Sequence, residues 1–156
     1  MIRRAKRTDC DGIEKLLYQV QDIHATARPD IFRKGEKKYS REELETVIAD
    51  DSRPIYVYLD EEGNLKGYAF CILEEVKGLH NLEDMKTLYL DDLCVDEDSR
   101  GEHIGRLLYE HVCKEAKALG CYRVTLHVWN LNEGAMKFYE KMGMAPLKVM
   151  MEQVLS

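Results

Sequence analysis

The sequence lacks the features of a membrane, secreted or metal-binding protein. Its longest apolar run, Tyr68–Leu73, is far shorter than the about 18 residues of a membrane span. The opening residues, MIRRAKRTD, hold no apolar core of a signal peptide. The five cysteines form no C-x-x-C pair, and neither they nor the five histidines show metal-ligand spacing. Scattered cysteines in odd number are typical of free thiols in a reducing compartment, so we expect a cytoplasmic protein without a metal.

The sequence also lacks an excess of positive charge. The chain has 23 Lys and Arg against 29 Asp and Glu, a net charge of -6, and no basic face is evident. This balance disfavours nucleic acid as a partner and favours cationic small molecules or basic peptides. The 156 residues contain no repeat, linker or low-complexity segment, so we expect one domain spanning residues 1–156.

The apolar patterns predict alternating strands and helices. Strands are expected at residues 2–5, 55–59, 65–73, 88–95, 122–129 and 148–155. Helices are expected after Thr8 or Asp9, after the capping box Ser40–Glu43, after residues 100–105 and after Asn132. Residues 24–39 lose periodicity and are predicted to form a long loop, with one turn of helix within it as an open alternative. Its basic residues are interpreted as solvated. The order indicates an α/β fold, a mixed sheet with helices on both faces.

A loop with two glycines, residues 100–106, joins the acidic fourth strand to an amphipathic helix. Glycines at a helix start can aim several backbone N–H groups at one point, where the helix dipole adds partial positive charge. The loop is therefore suited to a phosphate or pyrophosphate. It contains neither the Gly-Lys-Ser/Thr of a Walker loop nor G-x-G-x-x-G. On spacing alone, Gly101 and Gly105 are equally well explained as residues that shape a turn.

Two blocks of the sequence resemble the GNAT family of N-acetyltransferases. The first, Arg100-x-x-His103-x-Gly105, is similar to the family's Arg/Gln-x-x-Gly-x-Gly/Ala loop, which holds the pyrophosphate of acetyl-CoA. His103 stands where the family most often has its middle glycine. The second block, residues 132–143 (NEGAMKFYEKMG), resembles the family's Asn-x-x-Ala-x-x-Phe-Tyr-x-x-x-Gly segment. The blocks also keep the family's order and separation.

The resemblance implies a GNAT-like acyl-CoA N-acyltransferase fold with acetyl-CoA as co-substrate. Its sheet would be splayed between the fourth and fifth strands, and the pantetheine arm would enter that gap. Backbone groups of the fourth strand would pair with the pantetheine amides. The cofactor-binding residues that the resemblance implies are Leu93, Cys94, Val95, Arg100, Gly101, Glu102, His103, Ile104, Gly105, Arg106, Asn132 and Tyr139. Dimers are frequent among similar proteins, so a homodimer is one expected assembly.

Tyr139 is the general acid that the resemblance implies. In similar enzymes this hydroxyl points at the CoA sulfur and protonates the departing thiolate. A phenol with a pKa of about 10 is a reasonable donor to a thiolate with a pKa of about 8.5–10. The helical spacing of Tyr139 is equally typical of a core tyrosine, and Asn132 is equally typical of a helix N-cap.

Asp91 and Asp92 are the candidates for the general base. An alkylamine with a pKa of about 10.4 is almost entirely protonated at neutral pH, and only its neutral form attacks a thioester. Adjacent residues on a strand face opposite sides, so at most one of the two is expected in a given pocket. The alternative is a bulge or a pair of solvated acids. Cys94 is interpreted as a buried, inert cysteine, because no base or orienting group accompanies it.

The acceptor site is expected to involve the long early connection, which lines the acceptor site in similar enzymes. The candidate substrate residues are His24, Arg28, Phe32, Asp91 and His127. An ordinary surface loop, and a structurally bonded histidine at position 127, are the alternatives. The sequence therefore indicates an N-acetyltransferase that moves an acetyl group directly from CoA to a primary amine, most simply that of a small molecule. Acetylation of a protein N-terminus or lysine, and a CoA-binding module without turnover, stay open.

Overall fold

The computed structural model describes residues 1–156 and is organised around one mixed β-sheet, whose strands follow one another in chain order. The strands are β1 (Ile2–Arg4), β2 (Ile55–Leu59), β3 (Leu65–Val76), β4 (Met85–Val95) and β5 (Arg123–Thr125). Neighbours from β1 to β4 pair antiparallel, whereas β4 and β5 pair parallel. The predicted mixed sheet is confirmed.

Four α-helices accompany the sheet. They are α1 (Cys10–Ala27), α2 (Arg41–Ala49), α3 (Ile104–Ala118) and α4 (Glu133–Lys141), and 3-10 turns occur at Arg7–Asp9 and Glu97–Ser99. The chain divides into two compact units, Met1–Leu126 with the whole sheet and His127–Ser156 with α4. The single domain spanning residues 1–156 stays a prediction. None of the helices is long and apolar enough to cross a membrane.

Helices α1 and α3 cover opposite faces of the sheet. Leu16 of α1 belongs to one buried cluster with Tyr68 and Phe70 of β3. On the other face, a Cβ added to Gly67 would lie 2.9 Å from a side-chain atom of Leu108 in α3. Glycine is therefore required at this position, because the helix approaches the strand too closely for a side chain. The predicted arrangement of helices on both faces is confirmed.

Helices α1 and α2 both start where the sequence predicts, but only α2 has the predicted side-chain cap. The Glu43 N–H donates to Ser40 Oγ at 3.2 Å, and the Ser40 N–H donates to Glu43 Oε1 at 3.1 Å. These two hydrogen bonds confirm the capping box. Asp9 is the N-cap residue of α1, as expected, but its carboxylate makes no side-chain cap there and instead accepts from the Lys6 N–H at 2.7 Å. That hydrogen bond belongs to the capping box of the preceding 3-10 turn.

Several elements differ from the sequence prediction; β3 and β4, for example, extend to Val76 and back to Met85. Helix α1 extends to Ala27, so residues 24–27 are helical rather than part of the loop. They include two alanines, which favour helix strongly without adding to an apolar stripe. Strand β5 ends at Thr125, where its ladder with β4 ends. The strand predicted at residues 148–155 is not among the assigned elements, because a strand needs a paired neighbour and these residues have none within their own unit.

Candidate functional site

A β-bulge in β4 brings two adjacent carboxylates near one ammonium group. The ladder between β4 and β3 passes from Asp92 directly to Leu90, which leaves Asp91 as the extra residue. Lys38 Nζ donates to Asp91 Oδ2 at 2.5 Å, and the charge of Asp92 also acts on Lys38. The bulge that the sequence left open as an alternative for this acidic pair is therefore confirmed, and it interrupts the alternation of a regular strand.

Asp92 is the carboxyl whose environment is most altered. Burial raises its pKa to about 6, although a hydrogen bond from Tyr68 and the charge of Lys38 act in the opposite direction. Tyr68 Oη donates to Asp92 Oδ2 at 2.6 Å. Burial and the neighbouring Asp92 also raise the pKa of Tyr68 well above its ordinary value, so Tyr68 remains a hydrogen-bond donor. A carboxyl with a pKa near neutrality accepts a proton more effectively than an exposed aspartate does.

Lys38 reaches the bulge across an aromatic surface. Its Nζ lies 5.4 Å from the centre of the Tyr39 ring, which stacks on Phe70 with ring centres 5.7 Å apart. Burial lowers the pKa of Lys38, but the hydrogen bond and charge of Asp91 outweigh it, so the net direction is upward. Lys38 is therefore an ammonium ion held at the bulge. Lys38 is exposed, as its interpretation as a solvated basic residue implies, and its ion pair with Asp91 is the feature that the sequence did not reveal.

Cys94 is buried on β4, two residues after Asp92. Its Sγ donates to the Leu16 carbonyl oxygen at 3.8 Å. Burial raises the pKa of the thiol to about 12, and the charge of Asp92 acts in the same direction. The reactive form of cysteine is the thiolate, which is almost absent at neutral pH for such a thiol. These properties agree with an inert cysteine at this position, and all five cysteines are unpaired.

The edge of β4 is open beyond its short ladder with β5. That ladder covers Thr87–Tyr89 of β4 and Arg123–Thr125 of β5, whereas β4 continues to Val95 with β3 as its ladder partner. The predicted splay between the fourth and fifth strands is therefore seen in the ladder itself. The half-buried Leu93 and Val95 lie in this continuation. An extended group with amide donors and acceptors can pair with such an edge.

The loop between β4 and α3 has an unusual backbone conformation. Gly101 has φ 90° and His103 has φ 62°, and His103 is the one non-glycine residue of the chain with positive φ. Left-handed backbone costs a residue with a side chain about 1–2 kcal/mol, whereas glycine adopts it freely. The geometry thus explains why glycine is favoured at position 103. Gly105, by contrast, lies in helical conformation.

Unpaired N–H groups converge at the start of α3. The first helical N–H with a backbone partner is that of Leu107, which donates to the His103 carbonyl oxygen at 3.1 Å. The N–H groups of Ile104, Gly105 and Arg106 therefore donate to no backbone carbonyl, as is usual in a first turn. Arg100, Glu102 and Arg106 are exposed around them. This cradle fits an anion such as a pyrophosphate.

The predicted acceptor residues lie partly together. His24, in the last turn of α1, stacks on Phe32 with ring centres 4.7 Å apart. Burial lowers the pKa of His24, and the charge of Lys38 adds to this effect, so His24 is neutral near pH 7. The charge of Lys38 thus acts on His24, while its ammonium group is bonded to the bulge of β4. Arg28 forms a bidentate pair with Asp30, at 2.9 and 2.8 Å.

The second unit carries the remaining predicted residues. Asn132 is the N-cap of α4, and its Oδ1 accepts from the Ala135 N–H at 3.1 Å. This confirms its structural role, while its contact with a pantetheine arm stays a prediction. Tyr139 is half-buried on the same helix and meets the Phe138 ring edge-on at 5.0 Å. His127 is the first residue of the unit.

Sequence reasoning missed Lys38 and Tyr68 as parts of the site. Each of them lies within hydrogen-bonding distance of one acid of the bulge. In the sequence, Tyr68 looks like any tyrosine on the inward face of a strand. Only the register of β3 on β4 shows that its hydroxyl meets Asp92. The chain contains no group of three or more His, Cys, Asp and Glu residues that could hold a metal ion.

Two relatives of similar sequence are named as N-acetyltransferases. The probable glucosamine 6-phosphate N-acetyltransferase of Drosophila melanogaster is 29% identical over 144 residues, which are 91% of this chain and 59% of that protein. The chain thus spans about three fifths of that relative's length. The thialysine N-epsilon-acetyltransferase of Bos taurus is 26% identical over 153 residues, covering 92% of this chain and 82% of that protein.

A solved structure resembles the whole chain closely. A mutant of the BH1408 protein from Bacillus halodurans has a TM-score of 0.95 and 32% identity, and the match covers 100% of this chain and 99% of that one. The model of the acetyltransferase (GNAT) family matches residues 17–144. That range includes the bulge, the open edge of β4, the loop before α3 and helix α4. The chain therefore belongs to the acetyltransferase (GNAT) family.

Proposed function

We propose that the protein N-acetylates a primary amine of a small molecule, with acetyl-CoA as the acyl donor. The observation that carries this proposal is the alkylammonium group held at Asp91, next to the half-buried carboxyl of Asp92. A site that holds one alkylammonium group is suited to another. The adjacent carboxyl is suited to take the proton that an ammonium group must lose before it becomes a nucleophile.

The chain has suitable places for each part of acetyl-CoA. The N–H groups of Ile104, Gly105 and Arg106 fit the pyrophosphate. The open edge of β4 at Leu93–Val95 fits the pantetheine amides. The loop follows the carboxyl end of β4, so an arm that runs from the loop along this edge is directed toward Asp92 and Asp91. Asn132 and Tyr139 are proposed to have the roles that they have in the family.

The proposed chemistry is a direct transfer. Asp92, directly or through water, accepts a proton from the acceptor ammonium group, and the neutral amine attacks the thioester carbonyl. The Tyr139 hydroxyl donates a proton to the departing CoA thiolate. Cys94 has no part in this, because its buried thiol stays protonated near neutral pH.

The acceptor is proposed to be a small cationic amine. The named substrates of two relatives, glucosamine 6-phosphate and thialysine, both present a primary amine. Two neighbouring carboxyls at the bulge favour an acceptor that arrives as an ammonium ion. We further propose that the protein acts in the cytoplasm, which is consistent with five unpaired cysteines. A homodimer stays a prediction.

Release of free CoA from acetyl-CoA tests the proposal. The assay uses a panel of polyamines, amino acids, amino sugar phosphates and basic peptides, so that it separates small-molecule acceptors from peptide acceptors. We expect amine-dependent release that falls about a hundredfold or more in Asp92→Asn. Asp51→Asn removes a carboxylate that is 98% exposed, and it serves as the matched control. Binding of acetyl-CoA without amine-dependent release would identify a CoA-binding module and overturn the proposal.

A further inference from the structure

Lys38 is paired with one of the two carboxyls to which the proposed function assigns the acceptor amine. Its Nζ lies 2.5 Å from Asp91 Oδ2, and its side chain is 48% exposed. The Asp91 side chain is 17% exposed. The ammonium group therefore sits at the surface of a mostly covered carboxyl pair, where a free amine would need to displace it.

The neighbouring lysine makes different contacts. Lys37 Nζ lies 3.8 Å from Glu14 Oε2 and 3.4 Å from Tyr18 Oη, both on α1. Both lysines lie in the connection between α1 and α2, yet Lys38 is the one that is bonded to a residue of β4. Lys37 therefore provides a matched internal control.

We propose that Lys38 is an internal acceptor, whose ammonium group occupies the acceptor-amine position and whose Nζ is acetylated when no free amine competes. This inference rests on the proposed function, because it needs acetyl-CoA to run along the open edge of β4 toward the bulge. Given that direction, the thioester end meets the bulge, and the nearest primary amine there belongs to the protein itself.

The transfer balances as an ordinary N-acetylation. The Lys38 ammonium group loses one proton to a carboxylate of the bulge, and its lone pair then forms a C–N bond with the thioester carbonyl carbon. The C–S bond breaks, and the second proton lost by nitrogen ends on the departing CoA sulfur. The carboxyl returns its proton to water. The products are an amide at Lys38, free CoA and one proton, and no further reactant is required.

Acetylation would also free the acceptor position. An acetylated lysine has no positive charge and no ammonium donor, so it loses the ion pair with Asp91. Asp91 is then available to a free amine. The modified protein is therefore expected to bind a cationic acceptor more tightly than the unmodified protein.

The test needs no knowledge of the natural acceptor. The full chain is incubated with acetyl-CoA alone, and acetylation is followed by intact mass and by peptide mapping of Lys37 and Lys38. We expect Lys38 to be modified about a hundredfold faster than Lys37, the scale of one positioned acid or base. Lys38→Arg should abolish this fast phase and Lys37→Arg should keep it. Added n-butylamine, used as a competing amine probe, should slow it.

The outcomes separate this inference from the proposed function. If acetyl-CoA gives no binding heat in calorimetry, the proposed function itself fails. If acetyl-CoA binds and an added amine is acetylated while Lys38 is unmodified, the internal-acceptor proposal is overturned and the function stands. Equal rates at Lys37 and Lys38 would also overturn it, because they indicate uncatalysed acetylation of surface lysines.

Discussion

Asp92→Asn should make the protein more stable at neutral pH, although it should impair catalysis. The pKa of Asp92 is raised by burial from 3.8 to about 6, so the folded state binds its proton more tightly than the unfolded state does. The free energy of unfolding therefore falls as the pH rises through the window from about 4 to 6, and it stays lower above this window. An asparagine carries no charge at any pH, so the variant does not undergo this fall in the free energy of unfolding.

The magnitude follows from the size of the shift. About two pKa units, at about 1.36 kcal/mol each, correspond to about 3 kcal/mol. In Asp92→Asn the side-chain amide oxygen can still accept from Tyr68, but the amide protons need a partner, at a cost of about 1 kcal/mol. The variant is then about 1 kcal/mol less stable than wild type near pH 4 and about 2 kcal/mol more stable near pH 8.

Urea unfolding of both proteins across this pH range measures the effect. The quantity that tests the reasoning is the change in the stability difference between about pH 4 and pH 8, because the constant cost of the amide cancels. Curves for wild type and Asp92→Asn that run parallel across this range would refute a raised pKa at Asp92.

Asp96→Asn is the matched control, because its effect on the free energy of unfolding near neutral pH should have the opposite sign. Asp96 directly follows β4 and is buried, and burial alone would raise its pKa. Hydrogen bonds from the Asp98 N–H, Gln19 and Lys15 outweigh burial and lower the pKa. The stability that Asp96 contributes is therefore present above the unfolded pKa and is lost as the pH falls through the folded pKa. Asp96→Asn should destabilise the protein near neutral pH.

Two further predictions concern the loop before α3. Gly105→Val should weaken acetyl-CoA binding by about tenfold or more, or about 1.4 kcal/mol, because a side chain would hold the pyrophosphate away from the helix start; calorimetry on a folded variant measures it, and unchanged affinity would reduce the loop to a turn. His103→Gly should leave this affinity within a few-fold. Its stability should change by less than about 1 kcal/mol, since relief of the left-handed backbone offsets the added chain entropy. A larger loss of affinity in His103→Gly would show that the imidazole itself contacts the cofactor.

Much of the fold could be predicted from local sequence patterns. The capping box at Ser40 and the left-handed Gly120 and Gly143 depend on neighbouring residues alone, and the structure has all three. Apolar periodicity likewise located the four helices, because the stripe that packs on the sheet repeats along each helix. The N-cap position of α1 was predicted too, but the hydrogen-bond partner of the Asp9 carboxylate was not, because the sequence does not choose between the start of α1 and the Lys6 N–H.

The candidate site depended on register, which sequence alone does not reveal. Asp91 and Asp92 were identified as acids near the chemistry, but the bulge that brings both of them near Lys38 arises from how β4 pairs with β3. Lys38 lies 53 residues from Asp91 in the chain, so no local pattern connects them. The backbone strain at His103 was equally hidden, because the sequence shows a substitution but not a φ angle.

The pH dependence of turnover tests the central claim, an acid-assisted and base-assisted transfer from CoA to an amine, most directly. Wild type, Asp92→Asn and Tyr139→Phe are compared with one accepted amine from about pH 6 to pH 10, approaching the pKa of about 10.4 of a free alkylamine. We predict that Asp92→Asn loses most activity at low pH and partly recovers at high pH, where the amine deprotonates in solution. Tyr139→Phe should lose about a hundredfold without such recovery. Near-normal turnover in Tyr139→Phe, or a pH profile of Asp92→Asn that matches that of wild type, would contradict the account.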